Sequence, residues 1–189
     1  MTSPSAPALP LETDRLTLRN CRTDDVTSLL AYYSDPTVAR YLLHEPWTPE
    51  QAEREVAKLV ERRTIGICGQ ALSLVVEREG TVIGDVSLVP TDDTLSQAEI
   101  GWVFHPDFGG KGYATEAVRA VIRMAFGHYT MHRVKAQLDP RNKASARMCE
   151  RLGMTKEAHL RQDWWSKDEW TDTAVYGLLA TDRGSESAR

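Results

Sequence analysis

Cysteine is scarce in this chain, and the arrangements in which cysteines build sites are missing. The 189 residues include three cysteines, Cys21, Cys68 and Cys149, which lie far apart, with no CxxC pair and no cluster of histidine and cysteine. The sequence therefore indicates neither a disulfide framework nor a zinc site. We expect no metal cofactor and a reducing, cytoplasmic location.

Charge blocks, long apolar runs and a leader pattern are missing too. The net charge is -4 and no block carries one sign, which argues weakly against nucleic acid as a partner and mildly favours an amine-bearing substrate. No apolar segment approaches the roughly 20 residues that span a bilayer, so no membrane association is expected. The start, MTSPSAPALP, has neither the basic nor the apolar region of a signal peptide.

The length suits one domain with one sizeable core. We expect a single domain over residues 11–183, a disordered lead-in over 1–10 and a flexible tail over 184–189. Periodicity and turn residues predict the order β-α-α-β-β-β-α-β-α-β-β, an α+β domain whose helices flank a mixed, mostly antiparallel sheet. The predicted strands are 16–19, 71–77, 82–89, 99–104, 133–138, 154–165 and 170–179. The predicted helices follow Thr23, Thr48, Gly112 and Asn142, of which Thr23, Thr48 and Asn142 are expected to cap them.

A glycine-rich turn joins the predicted strand 99–104 to the helix that follows it. Gly109, Gly110 and Gly112 fall within four positions. Such a turn at a helix start presents bare N–H groups and the positive end of the helix dipole, and it binds phosphate or diphosphate without a metal ion. The alternative is a plain strand-to-helix turn that happens to be rich in glycine.

Two common phosphate-binding motifs do not fit this turn. A Walker loop fails because Lys111 is followed by Gly112 rather than Ser or Thr. A dinucleotide fingerprint fails because Thr115 stands where a third glycine is needed. A nucleoside triphosphate or a dinucleotide is therefore the least favoured ligand of this turn.

The turn resembles the diphosphate-binding motif of the GCN5-related N-acetyltransferases (GNAT), usually written Q/R-x-x-G-x-G/A. Here the motif runs GGKGYA from Gly109 to Ala114, with Gly109 where Gln or Arg is usual. The segments AEIGWVFHPDFGGKGYATEA, NKASARMCERLGM and WTDTAVYGLL carry the resemblance over nearly the whole chain. It is to the RimJ/RimL branch, whose members acetylate ribosomal-protein N-termini, and to its spermidine-acetylating relatives. The resemblance implies the GNAT fold and, in this branch, commonly a homodimer.

The resemblance implies acetyl-CoA as co-substrate and a set of residues that hold it. In such enzymes the strand before the glycine turn and the next strand splay apart, and the pantetheine arm lies in the gap. The residues expected to contact the cofactor are Trp102, Val103 and Phe104 on the strand, Gly110, Lys111, Gly112, Tyr113, Ala114 and Thr115 at the diphosphate, and Asn142 at the pantetheine arm. Val103 and Phe104 are equally expected to pack in the core, and Asn142 equally to cap a helix.

Attack of a neutral amine on a thioester calls for a proton acceptor and for a donor to the departing sulfur. Glu99, on the strand face of Gly101 and Val103, is our first candidate base, and a solvated carboxylate is the alternative. Asp85 lies in an otherwise apolar strand, where it would bind a substrate ammonium or simply face solvent.

The candidate donor to the sulfur lies in the segment after Asn142. Many relatives place tyrosine seven residues after the asparagine, and here that position is Cys149. Ser145 matches a serine that RimL-type enzymes use near the sulfur, so we expect Ser145 to bond the thiolate. Cys149 shares the helix face of Ser145, and it is a second donor or, as we favour, a small buried apolar group.

The acceptor amine is not specified by the sequence. A protein N-terminal α-amine, a polyamine, an antibiotic amine and a small metabolite all remain open, as does an acyl group larger than acetyl. Aromatic residues that would line an acceptor slot by cation–π contact, or else pack in the core, are Tyr33, Trp47, Trp164, Trp165 and Trp170, with Glu169 and Asp172 adding negative charge. The predicted function is acetyl-CoA-dependent N-acetyltransferase, with a CoA-thioester-binding protein of little activity as the alternative.

Overall fold

An eight-stranded sheet forms the centre of the molecule, in the order β1-β2-β3-β4-β5-β6-β8-β7. The computed structural model describes residues 6–66 and 69–185, so Cys68 lies outside the described residues. The strands are β1 Leu11–Glu12, β2 Thr17–Asn20, β3 Leu72–Arg78, β4 Thr81–Pro90, β5 Gln97–Phe104, β6 Arg133–Leu138, β7 Thr155–Ser166 and β8 Glu169–Leu179. All neighbouring pairs are antiparallel except β5 with β6. The predicted mixed, mostly antiparallel α+β fold is confirmed.

Helices cover both faces of the sheet. They are α1 Val26–Tyr33, α2 Pro36–Ala39, α3 Pro49–Glu61, α4 Tyr113–Gly127 and α5 Lys143–Arg151. Alternation along β5 sends Ala98 and Ile100 into the core beneath α4 and α5, whereas Val103 packs with Leu29 of α1 and Val56 of α3. The two faces of β5 therefore serve two different layers. Within the described residues, no helix combines the length and apolar character needed to cross a membrane.

Capping signals placed most helix starts correctly. Thr48 and Gln51 exchange the two hydrogen bonds of a capping box, 2.8 and 3.3 Å long, at the start of α3. Asn142 caps α5, and Gly153 follows that helix with a φ of +80°.

The prediction that Thr23 caps the first helix is wrong. Thr23–Asp25 forms a 3-10 turn, and α1 begins at the next residue, Val26. The Asp25 carboxylate closes this turn by accepting from the Arg22 backbone N–H at 2.8 Å, and it pairs with Arg19 at 2.8 Å. A carboxylate held by a β2 arginine therefore sets the entry to α1, which no local capping signal reveals.

Two elements lie near the ends of the described chain. Leu9, within the expected lead-in, packs against the core, and β1 pairs with β2. The apolar Leu9 side chain thus covers part of the core, and disorder of residues 1–10 stays a prediction. A 3-10 helix, Ala180–Ser185, crosses the expected boundary at 183. Residues 1–5 and 186–189 lie outside the described residues.

Candidate active site

The parallel strands β5 and β6 separate after a short shared segment. They pair at residues 97–99 of β5 and 133–135 of β6. Beyond these positions β5 stays paired with β4 as far as Phe104, and β6 stays paired with β8 as far as Leu138. The facing backbone edges of the two strands are consequently free to accept an extended ligand by hydrogen bonding.

The glycine turn lies between β5 and α4 and has the backbone shape of an anion cradle. Gly110 and Gly112 have φ values of +73° and +83°, and Gly112 is the N-cap of α4 without a side-chain capping bond. The first N–H groups of α4 therefore remain available. A Cβ added at Gly110 would meet no atom within 4 Å, so this corner faces open space.

Arginines supply the positive charge at this turn. Arg15 donates to the Lys111 carbonyl at 3.0 Å, stacks over the Tyr113 ring at 4.6 Å and pairs with Glu116 at 2.7 Å. A groove beside Gly112 is bordered by four arginines, Arg15, Arg119, Arg123 and Arg151, and by three acidic residues, Glu12, Asp14 and Glu116. Sequence reasoning missed the four arginines, because they come from three segments far apart in the chain.

The Lys111 ammonium does not point into the cradle. It donates to the Asp107 carbonyl at 3.1 Å and lies over the Phe108 ring. The part of Lys111 that borders the cradle is consequently its backbone. Thr115, also an expected cofactor residue, is buried and accepts a hydrogen bond from Arg151 at 3.3 Å.

Ser145 lies at the start of α5, across the opening from β5. The Trp102 indole N–H donates to Ser145 Oγ at 3.3 Å, and the Asn142 side-chain oxygen accepts from the Ser145 backbone N–H at 3.1 Å. Because the serine oxygen is the acceptor from Trp102, its own hydroxyl hydrogen is free to donate elsewhere. The Asn142 capping role is present, and its NH₂ group remains for a ligand carbonyl.

Cys149 is inaccessible from this opening. It is fully buried, and burial raises the pKa of its thiol to about 12. A thiol in such surroundings does not donate to a ligand in the cleft. The structure therefore agrees with its interpretation as a small apolar core residue.

A cavity of about 700 Å³ lies on the α1 side of the sheet and extends into the opening. Its lining comes from the end of α1, residues 40–44, Arg62, β4, β5, the end of β6, the start of α5 and the β7–β8 hairpin. It includes Tyr33, Asp85, Glu99, Gly101, Ser145 and Trp164. Gly101 has no side chain to fill this space, and a Cβ there would lie 3.1 Å from Ser87 Oγ. The cavity therefore reaches the β5 backbone next to the separation of the strands.

Asp85 lines this cavity and is buried. Its carboxylate accepts hydrogen bonds from the Tyr32 and Tyr33 hydroxyls at 2.8 and 3.2 Å. Burial raises the pKa of Asp85 to about 6, and the two tyrosine hydrogen bonds oppose that rise. The same burial holds the pKa values of both tyrosines well above their usual range, so both remain donors at neutral pH.

Glu99 lies on the same face of the sheet, at the point where β5 and β6 separate. Its Oε2 accepts from Gln137 at 2.6 Å and lies 3.4 Å from the Lys135 ammonium. Both partners contact one oxygen, and among the described residues Oε1 has no hydrogen-bond partner. Glu99 is therefore placed to act on a ligand in the cavity.

The aromatic residues expected to form a slot divide into two groups. Tyr33 stacks on Trp47 with ring centroids 3.9 Å apart, and Tyr33 and Trp164 line the cavity. Trp165 and Trp170 contact each other near the tip of the β7–β8 hairpin, outside the cavity. The prediction of an acceptor slot is wrong for these two, because adjacent positions on a strand face opposite sides.

The two acidic residues expected near the slot line the outer part of the cavity, but each has a partner. Glu169 pairs with Arg141 at 2.7 Å, and Asp172 pairs with His159 at 2.6 Å. The acidic group deep in the cavity is Asp85 instead. Within residues 6–66 and 69–185, no three histidine, cysteine or acidic side chains are grouped so that they could hold a metal ion.

Comparison with known proteins relates this geometry to one family. The family model described as "Acetyltransferase (GNAT) domain" matches residues 15–155. The chain is 30% identical over 169 residues to "Uncharacterized N-acetyltransferase p20" of Bacillus licheniformis, covering 89% of this chain and 95% of that protein. It is 25% identical to the "[Ribosomal protein uS5]-alanine N-acetyltransferase" of Escherichia coli, covering 94% of each.

A solved structure shares the fold. The spermidine N-acetyltransferase of Vibrio cholerae, determined in complex with CoA and spermine, superposes with a TM-score of 0.76. The superposition covers 90% of this chain and 98% of that one, at 20% sequence identity. The two chains therefore share the fold.

Proposed function

The chain belongs to the GCN5-related N-acetyltransferase (GNAT) family, and from this we propose that it transfers acetyl from acetyl-CoA to a primary amine by direct attack in a ternary complex. The observation that carries the proposal is the opening between β5 and β6, which begins after residues 99 and 135. The glycine turn lies on one side of this opening and the large cavity on the other. A ligand that reaches from the turn through the opening would present its far end to the cavity.

The residues expected to hold coenzyme A fit that ligand. Backbone N–H groups from Gly110 to Thr115 would bind the diphosphate, and Arg119, Arg123 and Arg151 would supply nearby positive charge, whereas Arg15 is already paired with Glu116. The free backbone edge of Trp102, Val103 and Phe104 would pair with the pantetheine arm. The Asn142 NH₂ group would donate to a carbonyl of the same arm.

Ser145 and Glu99 have separate roles in the proposed reaction. When bound, acetyl-CoA supplies the thioester carbon that the amine attacks. The free hydroxyl hydrogen of Ser145 would donate to the sulfur, whose charge needs only modest stabilisation because a thiol has a pKa near 8.5. Glu99 would accept the amine proton, directly or through water.

The acceptor determines how much a base is required. An α-amine with a pKa near 8 is substantially neutral at pH 7.5, so a base contributes less than about 1 kcal/mol. A lysine-like amine with a pKa near 10.4 needs roughly 4 kcal/mol for deprotonation at that pH. The relative named for an N-terminal alanine and the structure solved with spermine represent these two kinds of amine.

Binding of acetyl-CoA to two glycine variants of α4 tests the cradle. Gly112→Ala places a side chain at a φ of +83°, which costs about 1–2 kcal/mol and disturbs the first turn of α4. We expect the dissociation constant of acetyl-CoA, measured by calorimetry, to rise about tenfold or more. Gly127→Ala, at the other end of α4, is the control, because its added Cβ meets no atom within 4 Å.

A folded Gly112→Ala protein with unchanged affinity would show that the diphosphate binds elsewhere. Turnover is tested separately, by thiol release from acetyl-CoA with a panel of peptides, polyamines, aminoglycosides and small amines. Tight binding of acetyl-CoA without thiol release from any acceptor would instead favour a CoA-thioester-binding protein.

A further inference from the structure

Asp85 is an unusual residue for its surroundings. It is 8% exposed and lies in β4 between Val75 of β3 and Val103 of β5, its partners across the sheet. No lysine, arginine or histidine of the described residues forms an ion pair with it. A buried carboxylate without a cation is costly, and a hydrophobic residue would pack there more favourably. Its presence therefore calls for an explanation beyond packing.

The Asp85 carboxylate has unused capacity to accept hydrogen bonds. Tyr32 donates to Oδ2 and Tyr33 to Oδ1, and a carboxylate has about four acceptor positions. Each oxygen thus keeps a lone pair after the tyrosines have bonded. Since Asp85 also lines the 700 Å³ cavity, a ligand in that cavity can reach it. The two tyrosines act as a frame that fixes the direction of the carboxylate.

Of the acidic residues that line the cavity within the described part of the chain, Asp85 is the buried one, and Arg40 and Arg62 line the same cavity. On the α1 side lie Tyr32, Tyr33 and Cys21, all with raised pKa values, so all three are neutral at pH 7. Beyond Tyr33 lie Glu55 of α3 and Arg62, the residue that follows α3. Glu55 raises the pKa of Tyr33 and Arg62 lowers it. On the β5 side His105 contacts the Tyr32 ring edge.

The position of Asp85 relates it to the proposed site of reaction. It lies opposite Val103 of β5. Val103 is two residues from Gly101, which is about 7 Å along the strand. Gly101 is where the cavity reaches the β5 backbone, and the Ser145 hydroxyl lies across the opening. Glu99 is two residues further along, about 13 Å from Asp85. Asp85 is thus near the reacting end of the cavity without being at the diphosphate end.

We propose that Asp85, framed by Tyr32 and Tyr33, is the subsite that receives the acceptor amine as an ammonium ion. This rests on the proposed function and deepens it: the acceptors are aliphatic primary amines, which are cations at neutral pH, rather than weakly basic aromatic amines. The ammonium donates a charge-assisted hydrogen bond to a free lone pair of an Asp85 oxygen, while removal of the proton for attack stays with Glu99 through water, as proposed above.

Ligand titration without acetyl-CoA tests the subsite directly. The probes are butylammonium and its neutral counterpart of equal length, 1-butanol, followed by NMR through the ring signals of Tyr32 and Tyr33 in the full chain. We expect butylammonium to bind about 10- to 100-fold more tightly than 1-butanol, the ratio that one charge-assisted hydrogen-bonded pair provides. In Asp85→Asn, which keeps the shape of the side chain, the ratio should fall to about one.

Glu99→Gln is the matched control, since it removes a carboxylate from the same face of the cavity. It should keep the preference for butylammonium. Equal binding of the two probes by the unaltered protein, or a preference that survives Asp85→Asn and disappears in Glu99→Gln, would overturn the proposal. The titration measures no turnover. A negative titration therefore leaves the proposals of acetyl-CoA binding and acetyl transfer untouched. A protein that fails to bind acetyl-CoA or to transfer acetyl can still be titrated with the two probes.

Discussion

Asp85→Asn should make the folded protein more stable at neutral pH. Burial raises the pKa of Asp85 from 3.8 to about 6, so the folded state binds this proton more tightly than the unfolded state. The resulting stabilisation is fully present below pH 3.8 and is lost as the pH rises through about 6. Above that pH the protein carries a buried charge that asparagine does not have.

The size of the effect follows from the same pKa. A rise from 3.8 to about 6, at 1.36 kcal/mol per pKa unit, corresponds to about 3 kcal/mol between pH 4 and pH 8. Asparagine offers one oxygen to Tyr32 or Tyr33 where the carboxylate offered two, which removes about 1 kcal/mol of this gain. We therefore expect Asp85→Asn to be about 2 kcal/mol more stable at pH 8, with a melting temperature about 6 °C higher.

Urea denaturation of both proteins at several pH values between 4 and 8 measures this difference. The difference in free energy of unfolding should be small at pH 4 and grow with pH, while all other carboxylates cancel between the two proteins. Asp35→Asn is a control of opposite sign, because the hydrogen bonds from Thr37 hold the pKa of the exposed Asp35 below its ordinary value. A variant that is less stable at pH 8, or a difference that ignores pH, would refute the reasoning and remove the basis of the ammonium subsite.

Two further variants examine the proposed chemistry. Ser145→Ala should lower kcat about 10-fold or more and leave the dissociation constant of acetyl-CoA, measured by calorimetry, unchanged. An unchanged kcat would remove Ser145 from the reaction. Trp102→Phe is the control, because it removes only the indole hydrogen bond to Ser145. Glu99→Gln should lower kcat/KM more at pH 6.5 than at pH 9 if Glu99 takes a proton from the amine, because at high pH the amine is already neutral. A loss that is equal at both pH values would indicate that Glu99 acts through its contacts with Lys135 and Gln137.

The parts of the fold that the sequence predicted well are those fixed by neighbours in the chain. β6 and the starts of α3, α4 and α5 follow from alternation, capping residues and glycines within a few positions. The glycine cradle was predictable for the same reason, since Gly110 and Gly112 need no partner elsewhere to adopt a positive φ. β1 was missed because its two residues form a strand only by pairing with β2.

The parts that the sequence could not predict depend on contacts between distant segments. Asp85 is 53 residues from Tyr32 in the chain, and alternation alone left open whether it faced solvent. Arg15 reaches the glycine turn across 96 residues, so its bond to the Lys111 carbonyl has no local signal. In both cases the sequence supplied the side chain, and only the order of strands in the sheet determined what it would meet.

The separation of β5 and β6 follows from the order of strands rather than from any residue at the opening. β4 holds β5 in an antiparallel ladder along its length, and β8 does the same for β6, so each strand follows its outer neighbour. The two halves of the sheet then share only the ladder at residues 97–99 and 133–135. The N–H and C=O groups beyond it must bond to something, and a ligand lying along both edges satisfies them while joining the halves. The same feature that weakens the sheet at its centre therefore leaves backbone edges for the proposed cofactor, and the fold places Gly101, Asp85 and Ser145 around them.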